Sequence, residues 1–323
     1  MNLSGIQAQR TDPPGAAAHA AAPACLLLAF NRPDTTQRVF EAIRAARPPR
    51  LYVACDGARA DQPGEAQRVR QVQSIVARAD WPCSVQTLFR DGNLGCRRAV
   101  SSAITWFFEQ EAEGIVLEDD CVPGPDFFGF CAQLLARYRD DERVGIVCGT
   151  ALADLHRLGM LWAEEDYVYA RYPSVWGWAS WRRVWREYDA GMADWQERRE
   201  DVLALTADPK LRAVQGRLFD RVAQGRIDTW DYQLSYLLWS SQRLAVVPRW
   251  NLVENIGFRA DATHTRHAGL LAQRARLGPS GLHLPPRAPA RMLPNLAYQR
   301  YLEKLATRPL ASRVLERLLA HAR

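Results

Sequence analysis

Lysine is nearly missing from this 323-residue chain, occurring only at Lys210 and Lys304, and arginine supplies the rest of the positive charge. That substitution runs through the whole sequence, so it points to no single mechanism. Also missing is any Cys-x-x-Cys pair among the seven cysteines at 25, 55, 83, 96, 121, 131 and 148. An odd count without metal-ligand spacing excludes a disulfide scaffold or a zinc ribbon; the thiols read as reduced and buried, as in a cytoplasmic protein. No apolar stretch reaches the roughly eighteen residues of a membrane span. Gly-x-Ser-x-Gly, His-Glu-x-x-His, Walker and Gly-x-Gly-x-x-Gly sequences are all lacking. Serine hydrolases, zincins and P-loop enzymes lose their usual signatures with them. Positive charge is not spread through the chain either. The formal charge is +6, yet residues 287–323 hold eight Arg or Lys against two Glu. The remainder is close to neutral, which argues against a basic groove for nucleic acid.

At 48% hydrophobic and 24% charged, the composition is that of a globular protein. Residues 1–24, rich in Ala, Pro, Gly and Gln, read as a disordered head rather than a signal peptide. From Cys25 onward, short apolar runs alternate with helical patterns. Strands are expected at 25–30, 51–55, 84–89 and 114–117. Helices fit the segments between them, near 65–79 and 96–111 and after Asp34, which with Gln37 forms a capping box. Four β-α units predict an α/β fold with a parallel, doubly wound sheet. Beyond Pro125 the pattern is irregular. Helices fit 126–139, 208–224 and 229–242, and strands fit 144–148 and 244–247. Six of the eleven tryptophans fall within 160–196. Residues 269–295, rich in Pro, Gly and Arg, read as a linker or wrapping arm.

Ligands of such sheets bind at the carboxyl ends of the strands. The polar residues there are Asn31, Arg32, Asp56, Arg90, Asn93 and the triplet Glu118-Asp119-Asp120. Three acids beside a core are costly unless a cation compensates. Mg²⁺ or Mn²⁺ bridging a diphosphate is one such cation, since both prefer carboxylate oxygens; a solvated turn with a helix cap is the plainer alternative. Asp56, before Gly57, suits a pyrimidine N3–H or a ribose hydroxyl, or is simply a turn residue. The planar fork of Arg32 suits base or diphosphate contacts. Asn93-Leu94-Gly95 opens a helix whose free amides, with Arg97 in the first turn, favour an anion; a plain loop is the other reading. Asp231, in Asp228-Thr229-Trp230-Asp231-Tyr232-Gln233, is either a macrodipole cap or a general base, with Asp228 as the second candidate. Trp176-Gly177-Trp178 reads as core packing or as a loop that stacks on sugar faces. His264 is a metal or phosphate ligand, or a surface histidine.

Taken in order, Leu28-Ala29-Phe30-Asn31-Arg32-Pro33 and Val116-Leu117-Glu118-Asp119-Asp120 resemble the nucleotide-sugar half of a GT-A glycosyltransferase. Trp230-Asp231-Tyr232-Gln233, Asn251 to Phe258 and Asp261-Ala262-Thr263-His264-Thr265 resemble bacterial surface-polysaccharide glycosyltransferases. More distantly, Pro125-Asp126-Phe127-Phe128 after the triplet is similar to N-acetylglucosaminyltransferase I. The resemblance spans about residues 25–266 and divides them into a nucleotide-sugar half, 25–125, and an acceptor half, 126–266. It implies inverting transfer from a UDP- or dTDP-sugar to a glycan or lipid-linked glycan. Asp120 would bind Mn²⁺ or Mg²⁺, and Glu118 and Asp119 would hold the donor sugar or the ion's water shell. Asp56 and Arg32 would meet the base and ribose, and Asp231 would take the acceptor proton. The distant relative carries a second acid where this chain has Tyr232.

Two rivals stand beside it. One is a non-catalytic nucleotide-sugar or glycan-binding protein on the same scaffold. The other, a nucleotidylyltransferase, would want a Gly-rich loop where this chain has Asn31-Arg32-Pro33-Asp34. Residues 267–323 form an arm and a basic amphipathic tail with stripes at Tyr301, Leu302, Leu305 and at Leu310, Val314, Leu315, Leu318, Leu319. Peripheral contact with an anionic membrane at the inner face is one expectation for that tail, and docking onto the protein's own core is the other.

Overall fold

A computed structural model describes residues 22–161, 164–258 and 274–306. The first half runs β1 (Cys25–Ala29), α1 (Pro33–Ala46), β2 (Arg50–Cys55), α2 (Glu65–Val76), β3 (Ser84–Phe89), α3 (Gly95–Gln110) and β4 (Glu113–Glu118). These strands pair in parallel in the order β3-β2-β1-β4. Right-handed crossovers put α1 and α2 on one face and, because the chain reverses its direction of travel after β3, α3 on the other. The strand order therefore switches between β1 and β4, and ligands of such sheets bind outside the carboxyl ends of the strands at that point.

The expected strands and helices of this half all form. The capping box at Asp34 does not. Pro33, with its fixed φ and no N–H to satisfy, takes the first helical position and moves the cap to Arg32. The Thr36 hydroxyl donates to the Arg32 carbonyl at 2.7 Å, and Asp34 sits in the first turn.

The second half is more regular than its sequence pattern. It runs β5 (Cys121–Pro123), α4 (Phe127–Arg137), β6 (Val144–Cys148), β7 (Tyr167–Ala170), β8 (Trp178–Trp181), α5 (Arg182–Trp185), α6 (Trp195–Ala204), α7 (Pro209–Ala223), α8 (Asp231–Ser240), β9 (Leu244–Pro248), β10 (Val253–Asn255) and α9 (Leu296–Ala306). β8 pairs antiparallel with β4 and extends the sheet to eight strands, ending β4-β8-β6-β9-β7. The sheet is thus parallel in its first half and mixed beyond. β8 escapes a reading by alternation because all four of its residues are buried. A strand covered on both faces has no polar side to mark it.

The central core, including Leu26, Leu27, Phe107, Ile115, Leu117, Phe130 and Val147, is inaccessible to solvent. Each such side chain contributes about 1.5–3 kcal/mol relative to its exposed state. β5 and β10 form a separate antiparallel pair that folds the 253–257 turn back over the end of β4. Within residues 274–295, Ala275 and Leu282 are buried. Asp126 Oδ2 accepts the amides of Gly281 and Leu282 at 2.7 and 3.0 Å, and buried Asp166 takes Arg287 at 3.0 Å. α9 docks on the protein itself, as Tyr298 and Tyr301 donate to the carbonyls of Ala151 and Leu152. The second apolar stripe of the tail lies outside the described residues. Among the described residues no helix is long and apolar enough to cross a membrane.

Candidate functional site

Leu28 lies level with Glu118 in the β1–β4 pairing, so the segment leaving β1 runs beside the acidic triplet leaving β4. Arg32 reaches across and forms ion pairs with both Asp119 and Asp120, the latter with Nη1 to Oδ2 at 2.9 Å. Asp119 also accepts the Phe30 amide at 3.4 Å. Asp119 and Asp120 are buried, at 3% and 6% exposure, so one guanidinium offsets two carboxylates. Burial pulls the Arg32 pKa down, but its two carboxylate partners outweigh that and hold it protonated. Glu118 is half-buried and has no hydrogen-bond donor among the described residues. Burial first, then the charges of Asp120, Asp119 and Asp231, pushes its carboxyl well above the usual carboxylate range. Burial likewise raises Asp119, against the pull of Arg32.

The 255–257 turn closes over Asp120. Its backbone carbonyl accepts the Ile256 amide at 2.8 Å, and Cys121 Sγ lies 3.4 Å from Oδ1. A Cβ on Gly257 would fall 2.0 Å from Asp120 Oδ2, so only glycine admits this approach. Asp231 opens α8 and bears electrostatically on Glu118; its Oδ1 accepts the Thr229 hydroxyl. Arg32, Glu118, Asp119, Asp120 and Asp231 are therefore brought together. Among the described residues no set of three His, Cys, Asp or Glu side chains is arranged to hold a metal ion. The donor chemistry still suits Mg²⁺ or Mn²⁺, which are commonly held by one or two carboxylates with substrate phosphates completing the shell.

Other expected donor contacts are engaged within the protein. Asp56 accepts the amides of Gly57 at 2.9 Å and Leu94 at 3.0 Å, and Asn93 Nδ2 at 2.9 Å. Burial raises its pKa, with those amides opposing. Arg90 donates to Ser102 Oγ at 3.0 Å. The helix start at Gly95 is not a free anion site: the Cys96 and Arg97 amides both bind the Asp228 carboxylate at 2.9 Å. Arg97 Nη2 donates to the carbonyls of Val222 and Ile227. Asp228 is thereby occupied, which separates it from Asp231 as a proton acceptor. Trp178 is in the core at 1% exposure, stacked on Trp230 with centroids 5.8 Å apart, and does not face a ligand. Trp176 is half-exposed, edge-on to Phe258 at 5.5 Å. Gly177 adopts φ +65°. His264 lies outside the described residues.

Sequence reasoning missed Glu65, which is fully buried at the start of α2. It accepts Asn31 Nδ2 at 2.7 Å, the Arg59 amide at 2.7 Å and the Arg59 guanidinium, which also lies over the Phe30 ring. Asn31 thus anchors to α2. An acid in a first helical turn ordinarily reads as a macrodipole residue, so the sequence carried no signal for this hub. Hydrogen bonds from Arg59, opposed by desolvation, lower the Glu65 pKa from 4.5 to about 2. A depressed carboxyl stabilises the fold above its unfolded pKa and loses that contribution as pH falls toward its folded one. Between roughly pH 4.5 and 2 the hub should therefore surrender on the order of 1–2 kcal/mol, discounted because Arg59 is half-exposed. Urea denaturation of wild type and Glu65→Gln tests this. The two stability curves should converge on acidification, and a constant gap across that range would refute it.

No family model matches the chain, and no curated protein matches it. Among solved structures it is similar to HddC from Yersinia pseudotuberculosis, at 11% identity and TM-score 0.34, over 51% of this chain and 80% of that one. It is also similar to a UDP-glucose pyrophosphorylase complexed with UDP-glucose, at 10% identity and TM-score 0.24, over 46% and 62%. These likenesses are partial. The fold and the site define a Rossmann-like α/β protein with an acidic, arginine-bridged cluster at its topological switch point.

Proposed function

We propose that this protein is a metal-dependent, inverting glycosyltransferase that moves a sugar from a nucleoside-diphosphate donor, UDP- or dTDP-linked, to a hydroxyl of a growing surface glycan. The reading rests on one observation: the buried acids after β4, bridged by Arg32, lie within electrostatic reach of Asp231 on a separate helix. Two carboxylate groups from different elements then serve two roles. Asp120 would hold the divalent cation, with Glu118 and Asp119 toward the donor sugar or the ion's water. A bound cation supplies neutralisation of the charge that develops on the leaving diphosphate. Arg32 sits where it can exchange a carboxylate for a phosphate oxygen, a geometry its planar fork favours. Asp231 accepts the acceptor's hydroxyl proton as that oxygen bonds to the anomeric carbon and the bond to the diphosphate breaks. The Thr229 hydroxyl fixes the Asp231 rotamer for that approach. A lipid-linked glycan is the acceptor that membrane contact through residues 307–323 would serve.

The test is nucleotide release from UDP-, dTDP-, GDP- and CMP-sugars with Mn²⁺, Mg²⁺ or chelator. Slow, metal-dependent release from one donor is the expected result. Silence across the panel, together with no donor binding by calorimetry, would favour a binding protein that lacks the chemistry.

A further inference from the structure

The first amides of α3 all find acceptors inside the protein, and this has a consequence for Asp231. Leu94 N is taken by Asp56 and Gly95 N by Asn93 Oδ1, while Cys96 N and Arg97 N go to the two oxygens of Asp228. Asp228 comes from 131 residues away in sequence. The tie runs in both directions, since Arg97 Nη2 donates at 3.1 Å to Val222 O and at 2.6 Å to Ile227 O. Gly95 has φ +79°, and a Cβ there would meet Asp228 Oδ2 at 2.9 Å. The contact is thus built for glycine on one side and a short carboxylate on the other. Asp231 follows three residues later. Trp230 between them is held by the Tyr188 hydroxyl on its carbonyl at 3.0 Å and by stacking on Trp178. α8 itself begins without a side-chain cap.

We infer that Asp228 is a positioning residue that sets Asp231 beside the acids after β4 by clasping the start of α3. The inference rests on the reading of Asp231 as the base. It also gives a sense to two acids three residues apart: one is spent on geometry so that the other is free for chemistry. The clasp joins the segment carrying the base to the helix that follows β3, so the parallel half of the sheet and the acceptor side keep a fixed spacing. Asp228 is exposed, so its loss should change the register of α8 more than the overall fold.

Asp228→Asn and Gly95→Ala attack the clasp from opposite sides. Each is expected to lower kcat for transfer about 10- to 100-fold, the scale of a misplaced catalytic group. Donor affinity by calorimetry should stay within about twofold, because no donor contact is removed. The double variant should be no worse than the poorer single one, since both break one contact. Hydrogen exchange supplies a readout independent of turnover: the Cys96 and Arg97 amides and the first turn of α8 should exchange faster together in Asp228→Asn. Wild-type kcat in Asp228→Asn would overturn the inference, as would a joint loss of kcat and donor affinity. If exchange accelerates while Asp231→Asn transfers normally, the clasp is real but positions no base, and the inference falls with that reading. If wild type turns over and exchange is unchanged, the clasp alone is refuted.

Discussion

Asp120→Asn is expected to abolish transfer, by roughly three orders of magnitude or more in kcat/KM, while the protein stays folded. The substitution removes one negative charge from the place where a divalent cation and a diphosphate would meet, and it leaves the side-chain volume unchanged. The fold should survive because the Asp120 backbone carbonyl, not its side chain, holds the Ile256 amide. Arg32 keeps Asp119 as its partner. A companion change separates charge from position. Gly257→Ala places a methyl group 2.0 Å from where Asp120 Oδ2 now lies, so the carboxylate must move with its charge intact. Both variants should lose metal-dependent turnover, and thermal melts should show that both are folded. Full turnover in Asp120→Asn would end the assignment of Asp120 to the cation.

Asp231→Asn should cost about 10²- to 10⁴-fold in transfer, the usual worth of a positioned general base. The amide can still accept from the Thr229 hydroxyl, so α8 should begin as before. It cannot take a proton from an acceptor at neutral pH. Donor affinity should persist, because Asp231 bears on Glu118 only through charge. Removing a neighbouring negative charge should if anything ease ionisation of Glu118, whose pKa is raised first by burial and then by Asp120, Asp119 and Asp231. Calorimetry with the donor and single-turnover transfer kinetics test both halves of the expectation. Loss of donor binding in Asp231→Asn would make the residue structural and would leave the base unassigned.

Several parts of this protein are legible in its sequence. Apolar runs such as Leu26-Leu27-Leu28 and Ile115-Val116-Leu117 mark buried parallel strands, because such strands need no polar face. The acids after β4 stand out because charge is rare beside a core. The tryptophan segment 176–178 was legible only in part. Its residues read equally as ligand wall or packing, and Trp178 is now seen stacked beneath Trp230. Asp56 and Arg97 have the right chemistry for ligands, yet the Asp56 carboxylate is engaged by Leu94 and Asn93, and Arg97 Nη2 by Val222 and Ile227.

Composition and pattern by themselves determined the α/β class, the parallel first half and the acids that follow β4. Those features follow from local rules: strand periodicity, helix periodicity and the cost of charge near apolar surface. Only the tertiary structure decided which polar residues remain free. The pairing of Asp228 with the start of α3, of Glu65 with Asn31 and Arg59, and of Arg32 with two acids spans from 6 to 132 residues of sequence. A hydrogen bond consumes a donor and an acceptor wherever the fold brings them together, and sequence spacing carries no record of that meeting.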